Sequence, residues 1–370
     1  MLATEALKEA DRIMTICNAC RYCEGVCAVF PAMETRRSFT AGDLNYLANL
    51  CHSCGACYFD CQFSPPHEFN LNVPRTFAQV RNDSYKSYAW PQALAPIFER
   101  NGLWISLLTA ASVAIYILGF VAWHQPDALF GIHTGPGAFY RLMPHNTMVV
   151  LFGAAFLYAI VAMVMGFRSF WTDIGEAKEP LPEPKSFWQA MKDISTLRYL
   201  DGGGDGCRNE NDVAPDNRKL YHHLTFYGFL LCFASTSVAT LYHYVGGWHA
   251  PYAWYDLPVI MGSLGGIGLI IGPIGLLIAK TKRDPLMQDT PRLNMDVAFI
   301  AMLLLTSVTG LLLLLLRQTP AMGLMLAIHL GVVFSLFITM PYSKFVHGLY
   351  RFGALLRFAK DTQSGLKVVE

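Results

Sequence analysis

Charge is scarce in this sequence. Asp, Glu, Lys and Arg make up only 15% of its 370 residues, and the net charge at pH 7 is +1. A protein that binds nucleic acid needs a basic surface, so this balance argues against a nucleic acid partner. Hydrophobic residues reach 53%, which exceeds their share in typical soluble domains. Because the excess lies after residue 100, the sequence indicates a membrane protein with a more polar N-terminal region.

Six apolar runs contain no charged side chain. Each has about 19–23 residues, and about 20 are needed to cross the hydrocarbon core of a bilayer. Helices of soluble proteins rarely extend this far without a charge, which argues against the buried helices of a large soluble protein. The first residues are polar and amphipathic, so we expect no cleavable signal peptide. The predicted spans are Leu103–Trp123, Thr147–Phe167, Leu224–Tyr244, Leu257–Ala279, Val297–Leu316 and Met322–Met340.

Lysine and arginine are distributed unevenly among the loops. They are frequent in residues 168–220, in residues 280–295 and after residue 340, whereas the alternate loops contain only Arg141 and Arg317. Loops rich in lysine and arginine face the cytoplasm. We therefore expect a multi-pass protein of a bacterial-type inner membrane, with both termini and the N-terminal domain on the cytoplasmic side.

Eight of the ten cysteines form two copies of one spacing. The pattern C-x-x-C-x-x-C-x-x-x-C occurs from Cys17 to Cys27 and again from Cys51 to Cys61. This is the bacterial [4Fe–4S] spacing, in which the fourth cysteine of each run usually ligates the other cluster. We therefore expect a first cluster and a second cluster. Their predicted ligands are Cys17, Cys20, Cys23 and Cys61 for the first, and Cys51, Cys54, Cys57 and Cys27 for the second.

Two other uses of these cysteines fit the pattern less well. Zinc sites usually show two separated Cys-x-x-Cys pairs, and disulfides need an oxidising compartment. One departure from the usual iron–sulfur run is that Ala28 and Gln62, rather than proline, follow the last cysteines. Of the two remaining cysteines, Cys232 lies inside a span and is expected to be a small buried residue, whereas Cys207 receives no role.

The pattern along the chain predicts an all-α fold. Between the two cysteine runs, Leu44, Leu47 and Leu50 recur at a helical period, and no alternating strand pattern lies nearby. We expect an α-helical ferredoxin-like domain over residues 1–90, which holds two [4Fe–4S] clusters. Residues 91–100 then form a linker to a six-helix transmembrane bundle over residues 101–360. This bundle includes a cytoplasmic insert at 168–220, and residues 361–370 form a C-terminal tail.

Two segments of the insert are distinctive. Residues 186–200 place Phe187, Trp188 and Met191 on one face, which favours an amphipathic helix that lies at the membrane interface or packs on the cluster domain. Residues 201–206 are too rich in glycine for regular structure. They form either a docking loop or a flexible connector.

Histidines at the ends of spans are candidate haem ligands. His222 and His223 begin the third span, His243 ends it, and His329 and His347 lie near the two ends of the sixth. On one straight helix, the 18 residues from His329 to His347 make five turns, so both would share a face about 27 Å apart. In a six-span topology, His222, His223 and His347 lie at the inner level, and His243 and His329 at the outer level. This arrangement suits b-type haems held between helices.

Several interpretations of these histidines remain open. Ionisable residues in spans usually have a function, but a single histidine at a membrane interface often only forms hydrogen bonds. One haem or two is compatible with the pattern, and His145, which precedes the second span, is an alternate outer ligand. His52, inside the second cysteine run, is expected to be a surface residue or a residue that tunes the cluster.

Two resemblances follow from these motifs. The segment from His329 to Arg351 resembles the last span of the cytochrome b (gamma) subunit of respiratory nitrate reductase, whose haem ligands match His329 and His347 by position. The paired cysteine runs, the segment DGGGDGC from Asp201, and the segment HHLTFYGFLLCFASTSVATLYH from His222 together resemble the tricarballylate or citrate utilisation protein B family. This second likeness covers essentially the whole chain.

The family resemblance implies a role in electron transfer. It implies an FAD-dependent dehydrogenase as partner, one that oxidises tricarballylate, and a route from reduced flavin through two [4Fe–4S] clusters and haem b to membrane quinone. The protein would then be the electron-transfer subunit of an oxidoreductase system. An iron–sulfur redox sensor is the main alternative, but it would not need paired haem histidines. A tricarboxylate carrier fits poorly, because no Arg or Lys lies at mid-membrane to neutralise the anion.

Overall fold

The computed structural model describes residues 2–123, 129–180, 182–202 and 217–365. Within these residues the chain forms helices and turns without a β-strand, which confirms the all-α prediction. We number the α-helices of the described residues in chain order. They are α1 (Glu5–Cys20), α2 (Val29–Glu34), α3 (Ala41–Leu50), α4 (Ala56–Phe59), α5 (Val73–Ser87), α6 (Asn101–Trp123), α7 (His145–Asp173), α8 (Pro184–Ser195), α9 (Arg218–Tyr244), α10 (Leu257–Lys282), α11 (Leu293–Leu316), α12 (Met322–Thr339) and α13 (Val346–Gln363).

Helix α3 lies at the centre of the N-terminal domain. Its first turn is closed by a capping box, in which the Thr40 hydroxyl accepts from the Asp43 amide and the Asp43 carboxylate accepts from the Thr40 amide. Leu44, Leu47 and Leu50 are almost fully buried. The helical period predicted for this segment is therefore confirmed, and α3 fixes the start of the second cysteine run at its C-terminal end.

Six helices are long and apolar enough to cross a membrane, as predicted. The structure extends several of them beyond the apolar run, so that charged residues begin or end the helix. A segment with these lengths and compositions spans the hydrocarbon core. The candidate spans are Asn101–Trp123, His145–Asp173, Arg218–Tyr244, Leu257–Lys282, Thr290–Leu316 and Met322–Tyr342.

Helices α9 and α10 approach each other through glycine. A Cβ atom at Gly265 would lie 2.8 Å from the Gly228 carbonyl oxygen and 2.9 Å from the Cys232 amide nitrogen. These distances leave no room for a side chain between the two backbones. Close approach through small residues is a common way for helices to associate in a membrane. This glycine seam, formed by Gly228 and Gly265, therefore sets the position of α9.

The helix of the sixth span does not continue to His347, contrary to the prediction that one straight helix carries both His329 and His347. Helix α12 ends at Thr339, a 3-10 turn follows at Met340–Tyr342, and α13 starts at Val346. Pro341 has no amide hydrogen to donate, so the helix does not continue through it. His329 and His347 therefore lie on different helices, and the predicted five-turn alignment of these two residues is wrong.

Helix α13 folds back onto the N-terminal domain. Tyr350 and Leu355 are buried in the same hydrophobic core as α1, α3 and α5. Helix α8 packs against α13 through Ala190, which is fully buried, while Phe187 and Trp188 remain exposed. The predicted helix over 186–200 is thus shorter than expected, because it ends at Ser195 and Leu197 adopts a left-handed conformation with φ 50°.

One acidic side chain joins three elements at the membrane boundary. The Asp296 carboxylate in α11 lies 2.6 Å from the Lys280 ammonium of α10 and 2.9 Å from the Lys344 ammonium, which precedes α13. All three side chains are about three-quarters buried. Since a partly buried carboxylate needs partners, this triad fixes the spans relative to the segment that carries His347.

Candidate functional site

The predicted ligands of the first cluster lie together. Cys17 and Cys20 occupy the last turn of α1, Cys23 lies in the following turn, and Cys61 follows α4. Burial and the negative charges of Cys61, Cys23 and Cys20 raise the pKa of the Cys17 thiol to about 12. Burial and the charges of Cys61 and Cys20 raise the pKa of Cys23 to about 11. Each thiolate is therefore within electrostatic range of the others.

The predicted ligands of the second cluster line one recess. Cys27, Cys51, Cys54 and Cys57 all face a recess with an empty volume of ≈ 390 Å³. Burial raises the pKa of Cys57, and the charges of Cys54 and Cys27 raise it further. The Cys51 sulfur also accepts a hydrogen bond from the Ser53 amide at 3.3 Å. Four of the eight cysteines thus line one recess, and the assignment of four cysteines to each cluster stays a prediction.

The chemistry of each set fits an iron–sulfur cluster. Four thiolates in mutual range repel one another, and bound iron compensates that charge while thiolates are the ligands it prefers. Burial raises the pKa of Cys27, whereas hydrogen bonds from the Val29 and Phe30 amides lower it. Such bonds to sulfur are a known means of tuning a cluster. Among the described residues, no three His, Cys, Asp or Glu side chains converge closely enough to hold a single metal ion.

His52 lies beside the second set of cysteines. It is 5% exposed, so the surface alternative for His52 is wrong, and it lines the same recess. Its Nδ1 atom donates to the Leu50 carbonyl oxygen at 2.9 Å. Burial and the neighbouring Arg351 lower the pKa of His52 well below its usual value.

Four arginines surround the backbone that carries Cys51 and Cys54. They come from α5, from the start of α9, from the residue after α10 and from α13. Each donates to a carbonyl oxygen between residues 48 and 53. The sequence did not reveal this set, because each member is 65 to 137 positions from the next along the chain and the four converge only in the fold. We call it the arginine collar, composed of Arg81, Arg218, Arg283 and Arg351.

The structure brings together His222 and His347. Their ring centres are 6.1 Å apart with an interplanar angle of 76°. Two imidazoles bound to one metal from opposite sides, at about 2.0–2.1 Å each, have ring centres roughly 6 Å apart. His347 Nδ1 donates to the Lys344 carbonyl oxygen, so Nε2 is the nitrogen that could bind a metal. His222 Nδ1 is buried, with no hydrogen-bond partner in the described structure.

His223 faces a different environment from its neighbour. Its ring lies 5.8 Å from that of Tyr227 on the same helix.

Burial and the charge of Arg351 lower the pKa of His347 well below its usual value, so His347 is neutral at pH 7, as a metal ligand must be. His222 and His347 therefore lie together as residues that could hold a haem, and His223 lies outside this pair.

At the outer level, the structure groups the histidines differently from the prediction. His243 stacks on His145, with ring centres 3.5 Å apart, and its Nδ1 lies 3.1 Å from that of His249. His329 instead forms a hydrogen bond of 3.0 Å with the Thr309 hydroxyl and packs against Gly310. No ring contact among the described residues joins His329 to His243.

A second cavity lies beside these outer histidines. Its empty volume is ≈ 620 Å³, and His145, Tyr140 and Tyr252 line it together with apolar side chains. Leu326 and Leu330, which flank His329 on α12, also face this cavity. The outer cavity is therefore bounded by the helices that carry all three predicted outer histidines.

The leftover cysteines and the glycine-rich segment are only partly described. Cys232 is half-buried and packs against Gly265 in the glycine seam, so the prediction that it is buried holds only in part. A Cβ atom at Gly202 would lie 3.8 Å from the Cys54 sulfur, which places the start of the glycine-rich segment at the second set of cysteines. Cys207 and residues 203–206 lie outside the described residues.

Comparisons with known proteins agree with this arrangement. Residues 10–87 match the family model of the citrate utilization protein B Fer4-like domain, and residues 98–365 match that of citrate utilization protein B. A curated protein of Escherichia coli, citrate utilization protein B, is 47% identical over 370 residues, which cover 98% of this chain and 95% of that protein. No solved structure matches. The chain therefore belongs to the citrate utilization protein B family.

Proposed function

We propose that this protein is the membrane electron-transfer subunit of a tricarboxylate-oxidising system. It reoxidises the reduced FAD of a soluble partner dehydrogenase, by resemblance tricarballylate dehydrogenase, and delivers the electrons to the quinone pool. In this scheme FADH2 gives up two electrons and two protons, and the quinone takes up two of each to become quinol. Each electron passes singly through the two [4Fe–4S] clusters and haem b.

A single link between the two centres carries this proposal. Helix α13 bears His347 and, one turn later, Arg351. The Arg351 guanidinium donates to the Cys51 carbonyl oxygen at 2.7 Å. The backbone of a predicted cluster ligand is thus bonded to the helix that carries a predicted haem ligand. Such contact between a cluster domain and membrane histidines is expected of an electron relay, and neither a carrier nor a sensor requires it.

The grouping of the cysteines supports the cluster assignment. We propose that Cys17, Cys20, Cys23 and Cys61 hold the first cluster, and Cys27, Cys51, Cys54 and Cys57 the second. The charges of Cys61, Cys23 and Cys20 act on the Cys17 thiol, and the four cysteines of the second set line one recess. Cys20 is exposed, so the first cluster is the accessible one and is the candidate point of entry for electrons from the partner.

The inner pair supports a haem b between α9 and α13. We propose that His222 and His347 bind it through their imidazole nitrogens and hold it next to the second cluster. Bound haem would supply one-electron redox chemistry inside the membrane. His329, with His243 or His145, would be the ligands of a second haem, and of these three histidines His145 lines the outer cavity. At His329 the Thr309 hydroxyl would fix the ring, as outer-shell partners of metal ligands do.

The orientation follows from the same contacts. Arg218 and Arg283, at the ends of two spans, donate to the backbone of Ser53 in the cluster domain. The cluster domain therefore packs on the ends of the spans that are rich in lysine and arginine. We propose that this end faces the cytoplasm. We also keep the division into a cluster domain over 1–90, a linker over 91–100, a membrane domain over 101–360 and a tail over 361–370, with α13 joining the two domains.

An anaerobic assay of the detergent-purified chain tests the proposal. We expect about eight non-haem irons per chain, as two cubane clusters require, and a haem Soret band. Adding the reduced flavoprotein should shift that band to its reduced position, whereas the oxidised flavoprotein should not. Iron without haem would contradict the relay and favour the sensor. Haem that stays oxidised with reduced flavoprotein, but is reduced by dithionite, would contradict the assigned partner.

A further inference from the structure

The second set of cysteines lies in an unusually cationic backbone environment. Arg81 donates to the Ala48 carbonyl oxygen at 2.7 Å, to that of Cys51 at 3.0 Å, and to the Ser53 hydroxyl at 2.6 Å. Arg81 is only 5% exposed. One buried guanidinium thus spans the whole turn that carries Cys51.

Two of the other arginines reach the same turn from the membrane side. Arg218 donates to the carbonyl oxygens of Ser53, at 2.9 Å, and of His52, at 3.3 Å. Arg283 donates to the same Ser53 carbonyl oxygen. The fourth, Arg351, adds its bond to Cys51 and a further one to the Asn49 carbonyl oxygen at 3.3 Å.

Three arginines of the collar form no salt bridge with a carboxylate in the part of the chain that the structure describes. The salt bridges among the described residues include none formed by Arg81, Arg218 or Arg351. Burial and the nearby charge of Arg81 lower the pKa of Arg351 to about 10. The guanidinium therefore stays charged at neutral pH, and the lowered pKa shows that like charges lie close together. Such crowding is costly unless an anionic group lies among the cations.

The first set of cysteines is more exposed than the second, and an acidic side chain lies beside it. Asp60 lies close enough to Cys23 to raise the pKa of that thiol, and Cys20 is exposed to solvent. In the Cys17–Cys23 turn, the Arg21 guanidinium donates to the Asn18 carbonyl oxygen. The first set therefore has an exposed cysteine with Asp60 and Arg21 nearby, whereas four buried or half-buried arginines bond the backbone of the second.

This asymmetry determines which reduced cluster is more stable. Reduction adds one negative charge, and a neighbouring positive charge stabilises it, so cluster potentials depend on net charge, hydrogen bonds and exposure. A unit charge roughly 8 Å from the cluster, at an effective dielectric constant of about 20, changes the ratio of reduced to oxidised cluster by at least about tenfold.

We propose that the arginine collar gives the second cluster the higher reduction potential, so that electrons entering at the first cluster collect beside His222 and His347. This inference rests on the proposed function, because it needs both clusters. It assigns a direction: the exposed first cluster takes single electrons from the reduced flavin of the partner. The second cluster passes them to the haem. Arg81, Arg218, Arg283 and Arg351 act as positioning and tuning residues rather than as catalytic residues.

Redox titration of the full chain in detergent, followed by EPR, tests this inference. In the unmodified protein we expect two cluster midpoints, with the upper one lost in Cys54→Ser and the lower one lost in Cys20→Ser. In Arg351→Gln, the ratio of reduced to oxidised upper cluster at fixed potential should fall about tenfold, which equals about 59 mV for one electron. For the cluster with the lower midpoint, the ratio of reduced to oxidised cluster at fixed potential should change by less than twofold.

Three further variants complete the test. Arg351→Lys keeps the positive charge and should leave the upper midpoint unchanged. Arg218→Gln should lower the upper midpoint and replaces Arg351→Gln as the test if that variant does not fold. Arg168→Gln removes an exposed arginine of α7 and should change neither midpoint. An upper midpoint unmoved in both glutamine variants, or lost in Cys20→Ser, would overturn the collar proposal alone. An unmodified chain without two reducible clusters would instead contradict the proposed function.

Discussion

The glycine seam between α9 and α10 makes a quantitative prediction about Gly265→Ala. The new Cβ atom would lie 2.8 Å from the Gly228 carbonyl oxygen and 2.9 Å from both the amide nitrogen and the sulfur of Cys232. Ordinary contacts between heavy atoms are about 3.5–4.0 Å, so α9 and α10 must separate by several tenths of an ångström. Two of the three obstructing atoms belong to backbone and cannot rotate away.

The expected cost follows from two opposing effects. Overpacking in a close-packed interior costs about 1–3 kcal/mol. Replacing glycine by alanine inside a helix returns about 0.5–1 kcal/mol. We therefore expect Gly265→Ala to destabilise the protein by about 1–2 kcal/mol. Because α9 carries His222, the variant should also retain less haem than the unmodified chain.

A matched variant isolates the close approach from the change of residue. Gly153 lies inside α7, and a Cβ there would meet no atom within 4 Å, so Gly153→Ala should be neutral or slightly stabilising. The assay is the fraction of monodisperse protein left after heating in detergent, measured by size-exclusion chromatography over a temperature series. If Gly265→Ala survives heating as well as Gly153→Ala does, the seam does not fix α9 and the reasoning is refuted.

Three further predictions concern the metal centres and the membrane boundary. Cys20→Ser and Cys54→Ser should each remove one of two cluster signals from the low-temperature EPR spectrum of the reduced protein; an unchanged spectrum would defeat the ligand sets. His222→Ala should at least halve the haem per chain in the pyridine haemochrome assay, whereas His223→Ala, one position along, should leave it unchanged, and equal losses would contradict the His222–His347 pairing. Asp296→Asn leaves two lysine ammonium groups without their counter-charge and should cost about 3 kcal/mol, seen as a lower midpoint of thermal aggregation; full stability would show that the triad contributes nothing.

The parts of the fold that local sequence determines were predictable. Six long runs without charge could only be spans, and the period of Leu44, Leu47 and Leu50 follows from the helical repeat. The cluster ligands expected from the cysteine spacing also depend on local sequence, and their assignment stays a prediction. Each of these features depends on residues that are neighbours along the chain.

The features that were missed depend on contacts between distant segments or on one backbone position. The prediction of one straight helix from His329 to His347 was wrong because Pro341 ends the helix, although the residues before Pro341 form a long apolar run. His145 and His243 stack although they lie on different spans, and no period along either helix reveals that contact. The arginine collar was not predictable for the same reason. In the sequence, Arg218 and Arg283 indicate only the orientation of the spans, and their hydrogen bonds to Ser53 depend on the three-dimensional fold.

The return of α13 to the N-terminal domain has a consequence for biosynthesis. The cluster domain is made first, but part of its core comes from the helix that follows the last span. About 260 residues separate α5 from α13, which at about 5–20 residues per second takes roughly 10–50 s to translate. During that interval the cysteine-bearing domain is exposed on the ribosome without its final packing partner. Completion of the domain, and with it a protected site for iron, therefore follows insertion of all six spans.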